Sequence, residues 1–113
     1  MASEVLLVFC TFPNSEVAAR AAREVVEARL AACANILPQV HSIYRWEGKV
    51  ESAEEVLAIF KLEKGCYNEL EAKIRSIHPY EVPEIIAFPL SQGLPDYLKW
   101  VAESCSGDLP LEP

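Results

Sequence analysis

No stretch of this sequence approaches the roughly 18–20 consecutive apolar residues of a membrane span. The opening residues, MASEVLLVFCTF, carry no basic n-region, and their apolar run is too short for a signal h-region, so no secretory leader is expected. Basic residues are scarce. Ten lysines and arginines face seventeen acidic residues, for a formal net charge of −7, and they gather nowhere. That pattern excludes a nucleic-acid or anionic-membrane surface. Histidine occurs only as His41 and His78, and the four cysteines (Cys10, Cys33, Cys66 and Cys105) form no CxxC pair. Zinc-finger spacing is therefore absent, and in a chain without a secretory signal free thiols in the cytosol are expected rather than disulfides. GxSxG, HExxH, P-loop and Gly-rich dinucleotide motifs are also missing. No spacing favours a nucleophile–base pair, so binding rather than catalysis is expected.

What is present reads as one domain of 113 residues, half of them apolar and a quarter charged. Glu4–Phe12 is a short apolar run bounded by Pro13-Asn14, a central strand. Asn14 or Ser15 caps a helix whose pattern runs through Ala32, with Val17, Ala18, Ala21, Ala22 and Val25 on one face and a Glu16–Arg20 pair on the other. Residues 33 to 63 lose the helical stripe, contain Pro38, and turn at Glu47-Gly48, a hairpin. A second helix places Cys66 or Tyr67, Leu70, Ile74 and Ile77 inward and ends at His78-Pro79. Glu84–Leu90 is a further short strand, and Pro95 opens a last helix with Leu94, Tyr97, Leu98 and Val101 inward. The order β-α-β-β-α-β plus a terminal helix predicts an α+β ferredoxin-like plait, its two main helices on one face of an antiparallel sheet. Residues 1–104 form the domain, and 105–113 read as a flexible tail.

The hairpin is too long for its own body. Extended, residues 33 to 47 span on the order of 50 Å, against about 35 Å for a compact domain of this size. One sheet face has helices; the other is expected to have no cover from this chain. Val40, Ser42, Tyr44 and Trp46 share one strand face, opposite His41, Ile43, Arg45 and Glu47. An uncovered sheet with long exposed edges predicts pairing with further copies of the chain.

Four motifs in order, RLAACANI, SIYRWEGKVE, HPYEVPEII and DYLKWV, resemble the divalent-cation tolerance (CutA) family, and the likeness runs from about Val5 to Val101. The resemblance implies a homotrimer like that of the PII signalling proteins, with each hairpin packed on a neighbouring subunit. It also implies metal tolerance and, for some members, copper binding. The family's copper site uses a first-strand cysteine, here Cys10, and two adjacent histidines after the second long helix. The second of these is His78; the first is Ile77, which cannot ligate. Copper or another divalent cation is thus the expected cargo, with Cys10 and His78 as candidate ligands. Read alone, Cys10 is a small core residue and His78 a helix-end group.

The clefts of such a trimer would gather Tyr44, Trp46, Lys61, Glu84, Tyr97 and Trp100, as a ligand pocket or as plain subunit interface. Lys61 and Glu84 also read as an ordinary ion pair, and HPYEVPE as a rigid proline-set connection. The alternative to metal tolerance is a PII-like module that senses a small ligand or anchors a partner protein.

Overall fold

Asn14 turns the chain from strand to helix. In the computed structural model, which describes residues 4–105, its side chain accepts a 2.9 Å hydrogen bond from the Val17 N–H and caps the helix that follows. The elements run β1 (Val5–Phe12), α1 (Ser15–Glu27), β2 (Cys33–Trp46), β3 (Lys49–Glu63), a 3₁₀ turn (Lys64–Cys66), α2 (Tyr67–Ile77), β4 (Ile85–Pro89) and α3 (Pro95–Ser104). The strands form one antiparallel sheet in the order β2-β3-β1-β4, the expected plait. No helix among the described residues is long and apolar enough to cross a membrane.

Alternation sets the two sheet faces. Val8, Cys10 and Phe12 of β1 and Ala58, Phe60 and Leu62 of β3 are buried, with Ala18, Ala21 and Val25 of α1 and Leu70 and Ile74 of α2 in the same core. Alanines on α1 let its backbone lie close to the strands. The opposite face carries Leu7, Phe9, Leu57, Ile59, Ile86 and Phe88 at paired positions. Ile86 stays 51% and Phe88 40% exposed, an apolar face the domain leaves largely open.

Several local readings change. The helical pattern of α1 runs on to Ala32, but the helix ends at Glu27 because Arg29 adopts φ 64° and the Leu30 N–H closes back on the Val25 carbonyl at 3.0 Å. The ion pairs on α1 are Arg20–Glu24 and Arg23–Glu27, not Glu16–Arg20. On α3, Val101 is buried, whereas Leu94 and Tyr97 are exposed. The helix crosses one end of the open face instead: Tyr97 reaches Cys33, which pairs with Lys61 on that side. The open face thus has partial cover from its own chain. Cys105, placed at the start of the tail by its sequence, is buried in the core; residues 106–113 of that tail lie outside the described residues.

The hairpin overhangs as expected. The molecule measures 50 × 30 × 22 Å with a radius of gyration of 15.0 Å, against about 13 Å for an ordinary domain of its length. Glu47 and Gly48, at φ 51° and 82°, make its tight turn. Between Leu37 and Val40 the register slips by one residue, a bulge in which Gln39 takes φ 64°. That extra residue inverts the alternation and sends Tyr44 and Trp46 to the same face as Glu55. Gln39→Gly is expected to hold or raise stability, since glycine meets no penalty at positive φ, whereas Gln39→Val should lose about 1–3 kcal/mol in denaturant melts.

Candidate functional site

Where the hairpin leaves the body, its inverted face meets the loop between α2 and β4. Ser42, Tyr44 and Trp46 of β2, Glu55 of β3, Thr11, and the loop residues Pro79–Val82 with Glu84 line a cavity of ≈ 730 Å³. Tyr80 holds the loop down. Its hydroxyl donates a 2.7 Å hydrogen bond to Glu55 Oε2, and its backbone N–H donates to His78 Nδ1 at 3.1 Å. Burial, followed by the Glu55 bond, raises the Tyr80 hydroxyl well above its usual pKa. Three carboxylates, from Glu55, Glu81 and Glu84, border the cavity with two tyrosines and a tryptophan, and no basic side chain is among them.

Cys10 and His78 stand beside this cavity but do not line it. Cys10 points into the core, fully buried, and its thiol is pushed up to about 12 by burial first and by the charges of Glu84 and Glu55 next. His78 is buried and stacked on Phe12 with ring centroids 4.7 Å apart. Because Nδ1 accepts from the Tyr80 N–H, Nε2 carries the proton and donates it to the Thr11 carbonyl at 2.7 Å. Both ring nitrogens are occupied. A protonated thiol and an imidazole without a free lone pair do not fit a metal ion in this folded protomer. Among the described residues, no group of three His, Cys, Asp or Glu side chains could hold one.

Three of the six cleft residues expected from sequence, Tyr44, Trp46 and Glu84, gather at the cavity; Lys61, Tyr97 and Trp100 do not. Lys61 donates to Asn35 Oδ1 at 2.6 Å and lies 6.0 Å from the Tyr97 ring centroid, and Trp100 packs on Tyr97 at 5.6 Å. The Cys33 sulfur sits 3.6 Å from the Tyr97 oxygen, and this contact holds the phenol up at about 12. Glu55 and Lys61 stand six residues apart on β3, about 20 Å along the strand. The two clusters therefore occupy opposite ends of the open face, and no Lys61–Glu84 ion pair forms among the described residues. Sequence reasoning passed over Glu55, Glu81 and Tyr80. HPYEVPE was legible as a proline-set connection, but nothing local reveals that its tyrosine reaches a carboxylate 25 residues earlier.

Residues 6–104 match the model of the family described as CutA1 divalent ion tolerance protein. A curated relative, Protein CutA of Mus musculus, is 53% identical over 93 residues, covering 82% of this chain and 52% of its own length. The chain thus spans about half of that mammalian protein. Among solved structures, the divalent cation tolerance protein (Cut A1) of Thermus thermophilus superposes with a TM-score of 0.89 at 41% identity, covering 90% of this chain and 99% of that one. CutA1 from Oryza sativa gives 0.90 at 37% identity, with 93% and 96% covered.

The raised thiol of Cys10 has a consequence for stability. Below its ordinary value of 9.0 the thiol is protonated in the folded and unfolded chain alike, and its burial contributes fully; between 9.0 and about 12 the unfolded chain ionises first and stability is lost. Denaturant melts at about pH 8 and about pH 10.5 should show that loss, and Cys10→Ala should show a smaller one.

Proposed function

The chain belongs to the CutA1 divalent ion tolerance family, and we propose that it serves divalent-cation tolerance by binding the ion, without catalysis, in a cleft that a homotrimer completes. The observation that carries this reading is the wall of the cavity, which Glu55, Glu81 and Glu84 border with no basic side chain among the lining residues. Carboxylate oxygens suit divalent cations. One protomer does not gather three ligands there, so a neighbouring subunit supplies the remainder.

The trimer itself rests on the open face. Leu37, Ile86 and Phe88 are 42%, 51% and 40% exposed on it, and the hairpin adds Tyr44 and Trp46 at 43% and 44%. Burying such a face at about 25 cal/mol per Å² is a large gain, and a closed three-fold ring gives every copy the same cover. In that ring the hairpin of one subunit lies across the next, where its aromatic residues meet the far end of the neighbour's sheet. Four free thiols suit a reducing compartment, and the cytosol is the proposed location.

Copper is the candidate ion by family. Cys10 and His78 could take it only if His78 gave up its bond to Tyr80 or Thr11. The size of the cavity and its walls of Tyr44, Trp46 and Tyr80 favour a second reading, a PII-like pocket for a small organic ligand.

Native mass spectrometry should find three times the 12.6 kDa chain mass, and Trp46→Ala should weaken that assembly. A stable, folded monomer would sink the proposal. Titration of the reduced protein with Cu(II), and with redox-inert Zn(II), is expected to show about tenfold weaker binding in Glu84→Gln and no change in His78→Ala. Loss in Cys10→Ser and His78→Ala instead would return the ion to that pair. No binding in any form would leave the pocket for an organic ligand.

A further inference from the structure

Negative charge and aromatic rings meet at the cavity. Tyr44 and Trp46 of β2 and Tyr80 of the loop after α2 share its wall with Glu55, Glu81 and Glu84, around a volume of ≈ 730 Å³. Pockets for small molecules enclose about 300–1,000 Å³. Tyr44 and Trp46 are exposed, so their rings stay available outside the core.

The strand register carries the same character toward the hairpin tip. Val40 pairs with Glu55, Tyr44 with Glu51 and Trp46 with Lys49, and directly paired residues share a face of the sheet. Glu51 thus stands beside Tyr44. The one base on that face of the arm, Lys49, sits at the tip and outside the cavity lining, while His41 and Arg45 alternate to the other face. Glu55 is held in place: its Oε2 accepts the 2.7 Å bond from the Tyr80 hydroxyl, and that phenol, raised by burial and by this bond, keeps its proton. A neutral donor fixes the carboxylate and leaves its charge unneutralised.

A divalent ion draws its oxygen ligands to within about 2.0–2.6 Å of one point. Among the described residues no three acidic, histidine or cysteine side chains provide that, so an ion there waits on a neighbouring subunit. A cation several ångströms across needs no single point. Carboxylates around its rim attract its charge, and the faces of tyrosine and tryptophan attract it through the ring quadrupole while accepting its carbon skeleton. The same wall refuses anions, because a phosphate or carboxylate ligand would meet three carboxylates and no base. We propose that the cavity binds a small organic cation, an alkylated ammonium group carried on a carbon skeleton.

This assignment rests on the cavity being a pocket for a small organic ligand, and it gives that ligand its charge. Thr11 and Ser42 add uncharged polar groups to the wall, suited to a hydroxyl on the same molecule. Every group named comes from one chain. A neighbouring subunit can narrow the mouth without supplying the recognition.

The test is a titration of the assembled protein with choline, in EDTA and at constant ionic strength, followed by the fluorescence of Trp46. Trp100, the other tryptophan, packs on Tyr97 in the far cluster, so Trp100→Phe leaves Trp46 as the sole reporter. Choline should change the emission saturably. Its neutral isostere 3,3-dimethylbutan-1-ol, in which carbon replaces the quaternary nitrogen, should bind at least about tenfold more weakly. Glu81 and Glu84 are exposed, so their exchange spares the core. In the same background Glu81→Gln and Glu84→Gln should each weaken choline about three- to tenfold and leave the isostere unchanged. Equal binding of choline and isostere would keep the organic pocket and overturn the charge assigned to its ligand. No saturable response to either would overturn both, and choline affinity indifferent to both glutamine variants would place the cation elsewhere. Zn(II) binding without choline binding would likewise overturn the assignment while leaving the ion in the cavity.

Discussion

One extra residue in β2 determines which way the hairpin faces. A strand alternates its side chains strictly, so the single bulge between Leu37 and Val40 reverses every position beyond it. Without it, Tyr44 and Trp46 would point away from Glu55, and His41 and Ile43 would take their places. With it, the aromatic residues of the overhanging arm share a face with the apolar stripe of the main sheet. The cavity and the exposed aromatic surface of the hairpin both follow from that inversion. Pro38 and Gln39 suit the position: proline lacks the N–H that a regular ladder would use, and Gln39 accepts the positive φ the bulge imposes.

The loop after α2 then sets the chemistry. Tyr80 joins His78 through its backbone N–H and Glu55 through its hydroxyl, so a single residue seals the imidazole and orders a carboxylate. Those two effects oppose each other for metal binding. The nitrogen donors are withdrawn into the core with Cys10, while the oxygen donors of Glu55, Glu81 and Glu84 are left at the cavity. The carboxylates of Glu55, Glu81 and Glu84 border the cavity, whereas Cys10, Cys66 and Cys105 are buried and Cys33 is half-buried. Cys10 sits under α1 and α2, Cys33 beside Tyr97, and Cys66 against the Cys105 carbonyl. Their different surroundings give them different chemistry, although the sequence writes all four with the same letter.

Much of the architecture was determined by local pattern. The short apolar run of Val5–Phe12, the alanine stripe of α1, the Asn14 cap, the Glu47-Gly48 turn and the break at His78-Pro79 are each short-range signals with a short-range cause. Together with chain length they imply the plait, the overhanging hairpin and the unfilled face. What lay beyond them was long-range. The end of α1 at Arg29 comes from a left-handed residue that no periodicity marks, and α3 buries Val101 in the core while its Tyr97 meets Cys33 at the open face. The state of His78 depends on Thr11 and Tyr80, and the cavity on Glu55 meeting a loop 25 residues away. The Cys66 thiol meets a carbonyl 39 residues on. Sequence specifies which groups are available and which element carries each one; only folding decides which of them meet, because hydrogen bonds and burial are set by neighbours in space.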